Sequence, residues 1–215
     1  MAVGGKMKKS KIRRMTLLAL FAAIEIVLAF TPLGFVPIAP IKATTLHIPV
    51  IIASLVLGYQ DGMIVGFIFG LCSLINATFN PTVLSFVFSP FVTIGGYSGN
   101  FTSLIIVFVP RILLGALPYF IYKAFKNLNP KVATFIASLI ATLIHTLLVM
   151  GLIYLFFGLQ FASLNNTTLN GVLIVIISII TSNGLAEALL AGFICSAVAI
   201  ALKHISVNTG VKNEK

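Results

Sequence analysis

The sequence predicts an all-α membrane protein: a bundle of six transmembrane helices with both termini cytoplasmic and a long external loop between the third and fourth helices. Three observations lead there. Of 215 residues, 59% are hydrophobic and only 8% charged, with a mean hydropathy of +1.14, which leaves too little polar surface to wrap a soluble globule of this size. A helix needs roughly 20 mostly apolar residues to cross a hydrocarbon core about 30 Å thick, so this length accommodates about six of them with short connections. The net charge of +10 is concentrated in three places. Lys6, Lys8, Lys9, Lys11, Arg13 and Arg14 precede the first apolar run; Lys123, Lys126 and Lys131 occupy a central loop; Lys203, Lys212 and Lys215 follow the last run. The positive-inside rule puts all three segments in the cytoplasm. Both ends inside require an even number of spans, and the charge then reports topology and contact with the bilayer, with no nucleic acid among the expected partners.

The elements follow from apolar runs and the residues that break them. A first helix over 15–30 ends at Pro32, and the loop that follows holds three prolines in 31–40 and cannot be helical throughout. Its basic flank resembles a signal peptide. However, Glu25 interrupts the apolar core, no small-x-small cleavage site follows, and five further apolar segments favour a retained helix. A short second helix over 46–57 reaches the turn Gly58 to Gly62, and a short third helix over 63–77 leads into the external segment 78–103. That segment carries Pro81, Pro90, Gly95, Gly96 and Gly99, and a loop of such length usually has a function such as a lid. Longer helices follow over 104–124, 131–157 and 171–203. The expected organisation is a basic segment 1–14, a six-helix domain 15–203 and a tail 204–215. Cys72 and Cys195 fall in separate spans without CxxC or metal spacing, which fits small buried apolar residues. The two halves show no inverted repeat of the kind many secondary transporters carry.

A series of short signals runs through nearly the whole chain. These are Ala19-Leu-Phe-Ala-Ala23, Thr45-Leu-His-Ile-Pro49, the Gly58 to Gly62 turn, Gly66-x-x-x-Gly70, Phe88-Ser-Pro90, Pro110-Arg-Ile-Leu-Leu-Gly115 and Ser182-Asn-Gly-Leu-Ala-Glu187. In this order, with this size and charge layout, the chain resembles the S components of energy-coupling factor (ECF) transporters, in the group that includes pantothenate-type members. The resemblance implies a vitamin pocket near the outer face, closed by external loops, in a bacterial cytoplasmic membrane. It implies a membrane coupling subunit (T component) and two ATP-binding subunits as partners, and reorientation of the bundle against the coupling subunit to deliver the vitamin. This chain has no phosphate loop of the form GxxxxGK[ST], no HExxH and no GxSxG, so no ATPase, catalytic residue, metal or cofactor is expected in it. The vitamin is expected to be pantothenate, with cobalamin-related compounds, pyridoxine and hydroxymethylpyrimidine as alternatives. A standalone secondary transporter, with His145 and Glu187 as proton relays, is the alternative from another class.

Candidate ligand contacts are polar groups that the bilayer would otherwise penalise. Arg111 is the only arginine outside the basic head; a charge at that depth costs roughly 2.5–3.5 kcal/mol on insertion scales, so it should face a cavity or a partner. Its planar donors suit the carboxylate of an anionic vitamin; a pairing with Glu187, Glu25 or loop carbonyls is the structural alternative. Asn183 and Glu187 lie one helical turn apart, and His145, flanked by Thr142 and Thr146, sits at similar depth on the preceding helix. His47, Thr44, Thr45, Asn76, Asn80 and Ser89 lie near the outer face as further contacts or as ordinary interfacial residues. Phe86, Phe88 and Phe91 are either apolar anchors of the lid or an aromatic belt. Ala19, Ala22 and Ala23 make a strip of small residues where another backbone can approach; the resemblance implies docking of the coupling subunit there, and intramolecular packing is the alternative.

Overall fold

Apolar runs set most of the architecture in a computed structural model describing residues 3–38, 41–164 and 166–203, but the first helix also takes in the basic residues from Val3 onward and a later one runs on through Pro110 and Pro118. Lys212, Lys215 and the rest of the expected tail lie outside the described residues. Helix α1 (Val3–Ala29) is followed by a hairpin, β1 (Phe35–Ile38) and β2 (Ile41–Thr44). Next come α2 (His47–Leu57), α3 (Tyr59–Phe79), the single turn α4 (Ser85–Phe88) and a second hairpin, β3 (Thr93–Ile94) and β4 (Tyr97–Ser98). The bundle is completed by α5 (Phe101–Ala124), α6 (Pro130–Leu164), α7 (Leu169–Ile179) and α8 (Leu185–Lys203). A π turn over Ile180–Gly184 joins α7 to α8.

The chain is thus mostly helical, and among the described residues four helical segments are long and apolar enough to cross a membrane: Tyr59–Phe79, Phe101–Ala124, Pro130–Leu164 and Leu169–Val198. The prolines of 31–40 do keep that stretch from being helical throughout: a single 3-10 turn over Pro32–Gly34 leads into the β1–β2 pairing, with Pro37 opposite Lys42. The third helix is not short: it begins at Tyr59 and runs 21 residues, because only Gly58, at φ 104°, breaks the chain in the expected Gly58 to Gly62 turn. The fifth helix continues to Leu164 instead of ending near 157.

Packing explains the lengths. Helix α2 is apolar on every side, the pattern of a helix enclosed by others. It packs against α1, α3, α5, α6 and α8, with Val50, Ile51 and Ala53 fully buried. Helix α3 carries Gly62, Gly66 and Gly70 at four-residue spacing, one face of the helix, and lays that face on α5. A Cβ at Gly62 would overlap the carbonyl of Gly115, one at Gly115 the carbonyl of Gly62, and one at Gly66 the carbonyl of Arg111. The α3 and α5 backbones therefore touch over two turns and run antiparallel. Close contact of this kind supplies the dispersion and weak polar attraction that hold helices together in lipid, where the hydrophobic effect between helices is absent. At the same end of the bundle Arg14 of α1 grips Asp61 of α3. The pairings Gly62 with Gly115, Phe135 with Gly192, and Thr146 with Gly184 show that the basic end of α1, the α5–α6 connection and the end of α8 share this pole. The two hairpins and α4 occupy the other.

Candidate functional site

Between the hairpin pole and the middle of the bundle lies a cavity of about 400 Å³, within the size range of small-molecule sites. Arg111, His145, Asn183, Glu187, Asn76 and Asn80 line it, together with Thr44, Phe69, Cys72, Ser85, Phe88, Thr146 and Met150. His47 and Thr45 are not in its wall, although Thr44 beside them is. Phe69 and Met150 had no signal in the sequence beyond being apolar.

The position of Arg111 follows from its neighbour. Pro110 has no N–H to offer the carbonyl of Ile106, one turn earlier, and Arg111 Nη1 donates to that carbonyl at 2.6 Å. The guanidinium lies over two aromatic faces, 5.5 Å from the Phe69 centroid and 5.4 Å from that of Phe88, an arrangement that offsets part of the cost of a charge in low dielectric. It makes no ion pair with Glu25 or Glu187 among the described residues. Its Nε is buried without a hydrogen-bond partner, and so is Nε2 of His145. Buried donors and acceptors in native proteins are almost always satisfied. Two unpaired nitrogens in the wall of one cavity therefore mark a place for polar atoms that the chain itself does not supply.

The other polar groups divide into committed and available. Glu187 Oε1 accepts from the Thr44 backbone N–H at 2.7 Å and from its hydroxyl at 3.0 Å, which ties the β1–β2 hairpin to α8. Thr142 donates to the Ser138 carbonyl and Thr146 to the Thr142 carbonyl, so both hydroxyls are spent within α6; Thr146 still lines the cavity. Asn80 Nδ2 donates to Asn76 Oδ1 at 2.9 Å. Asn183 sits in the π turn, whose wider winding carries Ile179, Asn183 and Gly184 into the cavity wall together; single π turns are frequent at functional sites. Glu25 is fully buried with neither carboxyl oxygen hydrogen-bonded, one turn along α1 from Ala29, which lines the cavity.

The segment between α3 and α5 covers one side. Phe86 is fully buried and meets Phe157 edge-on at 5.6 Å; its carbonyl accepts from Ser103, and Ser89 bonds Thr78 at 2.7 Å. Phe86 anchors this segment, Phe88 faces the cavity and Arg111, and Phe91 is exposed. At Gly99 a Cβ would overlap the Ser89 carbonyl, so the segment folds back tightly on itself. On α1, Ala19 and Ala23 are exposed while Ala22 is half-buried, so the open strip is Ala19 and Ala23.

Comparison with known proteins gives the family. Residues 13–199 match the family model for the substrate-specific component of ECF transporters. The chain is 38% identical over 207 residues, 94% of this chain and all of the relative, to the pantothenic acid transporter PanT of Lactococcus lactis subsp. cremoris strain MG1363. Its fold is similar to that of a solved S component of a bacterial ECF transporter (TM-score 0.51, 21% identity, 94% of this chain and 99% of that one). A solved S component for biotin, from an ECF-type ABC transporter, aligns at a TM-score of 0.48 with 19% identity over 88% of this chain and 92% of the other. The chain belongs to the ECF transporter S components, the membrane subunits that determine which substrate such a transporter takes.

Proposed function

We propose that this S component captures pantothenate from outside the cell and delivers it through an ECF complex. The observation that carries the substrate is the 38% identity, over the whole relative, to a pantothenic acid transporter. The cavity supplies compatible chemistry. Pantothenate has one carboxylate, an amide and two hydroxyls; Arg111 offers a cation with an unpaired Nε beside His145 Nε2. Asn76, Asn80 and Asn183 offer amides, and Glu187 an acceptor. In this reading Arg111 takes the carboxylate, while His145, Asn76, Asn80, Asn183 and Glu187 meet the amide and hydroxyls. Thr45 ties off the base of the hairpin, its backbone N–H donating to the Gly34 carbonyl at 3.0 Å.

The bundle spans the bilayer as six helices, with α1 and the enclosed α2 joining the four long segments and α7–α8 counting as one. The pole carrying Lys123, Lys126 and Lys131 and the start of α1 faces the cytoplasm. The cavity, the β1–β2 hairpin and the segment 80–100 face outside, where they close over the vitamin. Segments 1–14 and 204–215 flank the binding domain in the cytoplasm. A membrane coupling subunit docks on the exposed Ala19 and Ala23, and two ATP-binding subunits on that complex supply the energy.

Calorimetric titration of the purified protein in detergent with a vitamin panel led by pantothenate tests this. Arg111→Ala should weaken pantothenate binding about 100-fold, the worth of a hydrogen-bonded charge pair at roughly 1.5–3 kcal/mol. Tight binding of another vitamin, with pantothenate inert, would overturn the substrate; an unchanged Kd in Arg111→Ala would overturn the carboxylate site.

A further inference from the structure

Helix α1 has two unlike sides. Towards the bundle it presents Arg14, Leu18, Phe21, Glu25 and Ala29; Phe21, Glu25 and Ala29 are buried and Leu18 packs against the core. At 3.6 residues per turn, Ala23 stands about 180° and Ala19 about 140° round the helix from Arg14, and both are exposed. The inward contacts beyond Arg14 are apolar or, at Glu25, unpartnered. In lipid these contacts hold α1 by close packing, and none of them has the fixed donor–acceptor geometry of a hydrogen bond.

Arg14 makes a directional contact on this face. Arg14 Nε donates to Asp61 Oδ2 at 2.6 Å and Nη2 donates to Oδ1 at 2.8 Å, a two-pronged pair. The Asp61 side chain is 3% exposed and that of Arg14 44%. Asp61 lies in the first turn of α3, where the helix dipole favours a negative charge. The next residue, Gly62, is locked against the Gly115 carbonyl. The carboxylate is thus held on the least yielding part of the bundle. The Arg14 guanidinium is charged at any working pH. A forked guanidinium on a fixed carboxylate sets orientation as well as distance.

We propose that the Arg14–Asp61 pair is a positioning device that sets the rotation of α1, so that Ala19 and Ala23 face the coupling subunit; this rests on the docking reading given above. Neither residue touches the cavity or the strip. Their loss acts on assembly and transport while ligand capture continues.

The experiment co-expresses the tagged full-length chain with its coupling and ATP-binding subunits. It measures co-purified coupling subunit and cellular uptake of labelled pantothenate, and on the isolated chain pantothenate affinity and thermal unfolding in detergent. Arg14→Ala and Asp61→Asn should each lower co-purification and uptake about tenfold, while affinity stays within about twofold and the unfolding profile remains cooperative. Arg14→Lys, which keeps the charge and loses the fork, should fall between, and Arg14→Asp combined with Asp61→Arg should recover part of the loss. Ala19→Trp is the control for docking. If Ala19→Trp blocks assembly and Arg14→Ala does not, the pair has no positioning role while the docking reading stands. If Ala19→Trp assembles normally, the docking reading and this inference fall together. Loss of affinity in step with loss of assembly in Arg14→Ala would make the pair a general determinant of the fold and overturn the assignment.

Discussion

The two poles of the bundle are built on opposite principles. At the basic pole α3 and α5 touch backbone to backbone through Gly62, Gly66 and Gly115, and the Asp61 carboxylate is gripped by Arg14. At the hairpin pole the same two helices enclose a cavity with α6 and α8, and nitrogens of Arg111 and His145 there are buried without partners. The difference is a division of labour. Groups left unsatisfied at one pole are tolerable because the other is close-packed and holds its buried Asp61 carboxylate paired, which leaves the cavity free to be shaped for a ligand.

The sharpest way to break this contrast is to open the packed pole. Gly115→Leu drives a branched side chain into the Gly62 carbonyl, which cannot move without separating α3 from α5; we expect no folded protein in detergent by size-exclusion chromatography. A monodisperse, vitamin-binding Gly115→Leu would show that the crossing is not the rigid element described. At the cavity pole effects should be graded. Thr44→Val removes the hydroxyl that reaches Glu187 and keeps the backbone N–H contact. The loss of one hydrogen bond, about 1 kcal/mol, corresponds to roughly fivefold weaker pantothenate binding with folding intact. An unchanged affinity would mean that the hairpin does not help to hold the ligand.

Much of this plan was legible in the sequence because lipid imposes strict rules on composition. The membrane class, the apolar segments, the long segment before α5 and the small-residue strip on α1 all follow from hydropathy, charge and breakers. What could not be read comes from contacts between distant residues. Three prolines keep 31–40 from being helical throughout but give no hint of the β1–β2 pairing. Gly66 and Gly70 were visible as a close-approach pattern, while the partner carbonyls on α5 were not. Pro110 before Arg111 did contain the signal for the Ile106 contact, since a proline in a helix frees the carbonyl one turn back. Of the two rings that flank the guanidinium, Phe88 was visible as a candidate lid anchor, while Phe69 looked like an ordinary apolar residue. Asp61 carries no signal in its own stretch of sequence, because its partner Arg14 lies 47 residues earlier. Among the candidate ligand contacts, Arg111, His145, Asn183, Glu187, Asn76 and Asn80 come together around the cavity, whereas His47 and Thr45 stand outside it.

The central claim is that capture and delivery reside at different places on this molecule, and one paired measurement tests it most directly. Pantothenate affinity of the isolated subunit and pantothenate uptake by cells expressing the whole complex are measured for the double variant Ala19→Trp, Ala23→Trp. The account predicts an affinity within about twofold of the parent, because neither side chain approaches the cavity, and loss of uptake, because bulky residues bar close backbone approach. Undiminished uptake, or an affinity that falls with it, would contradict the account.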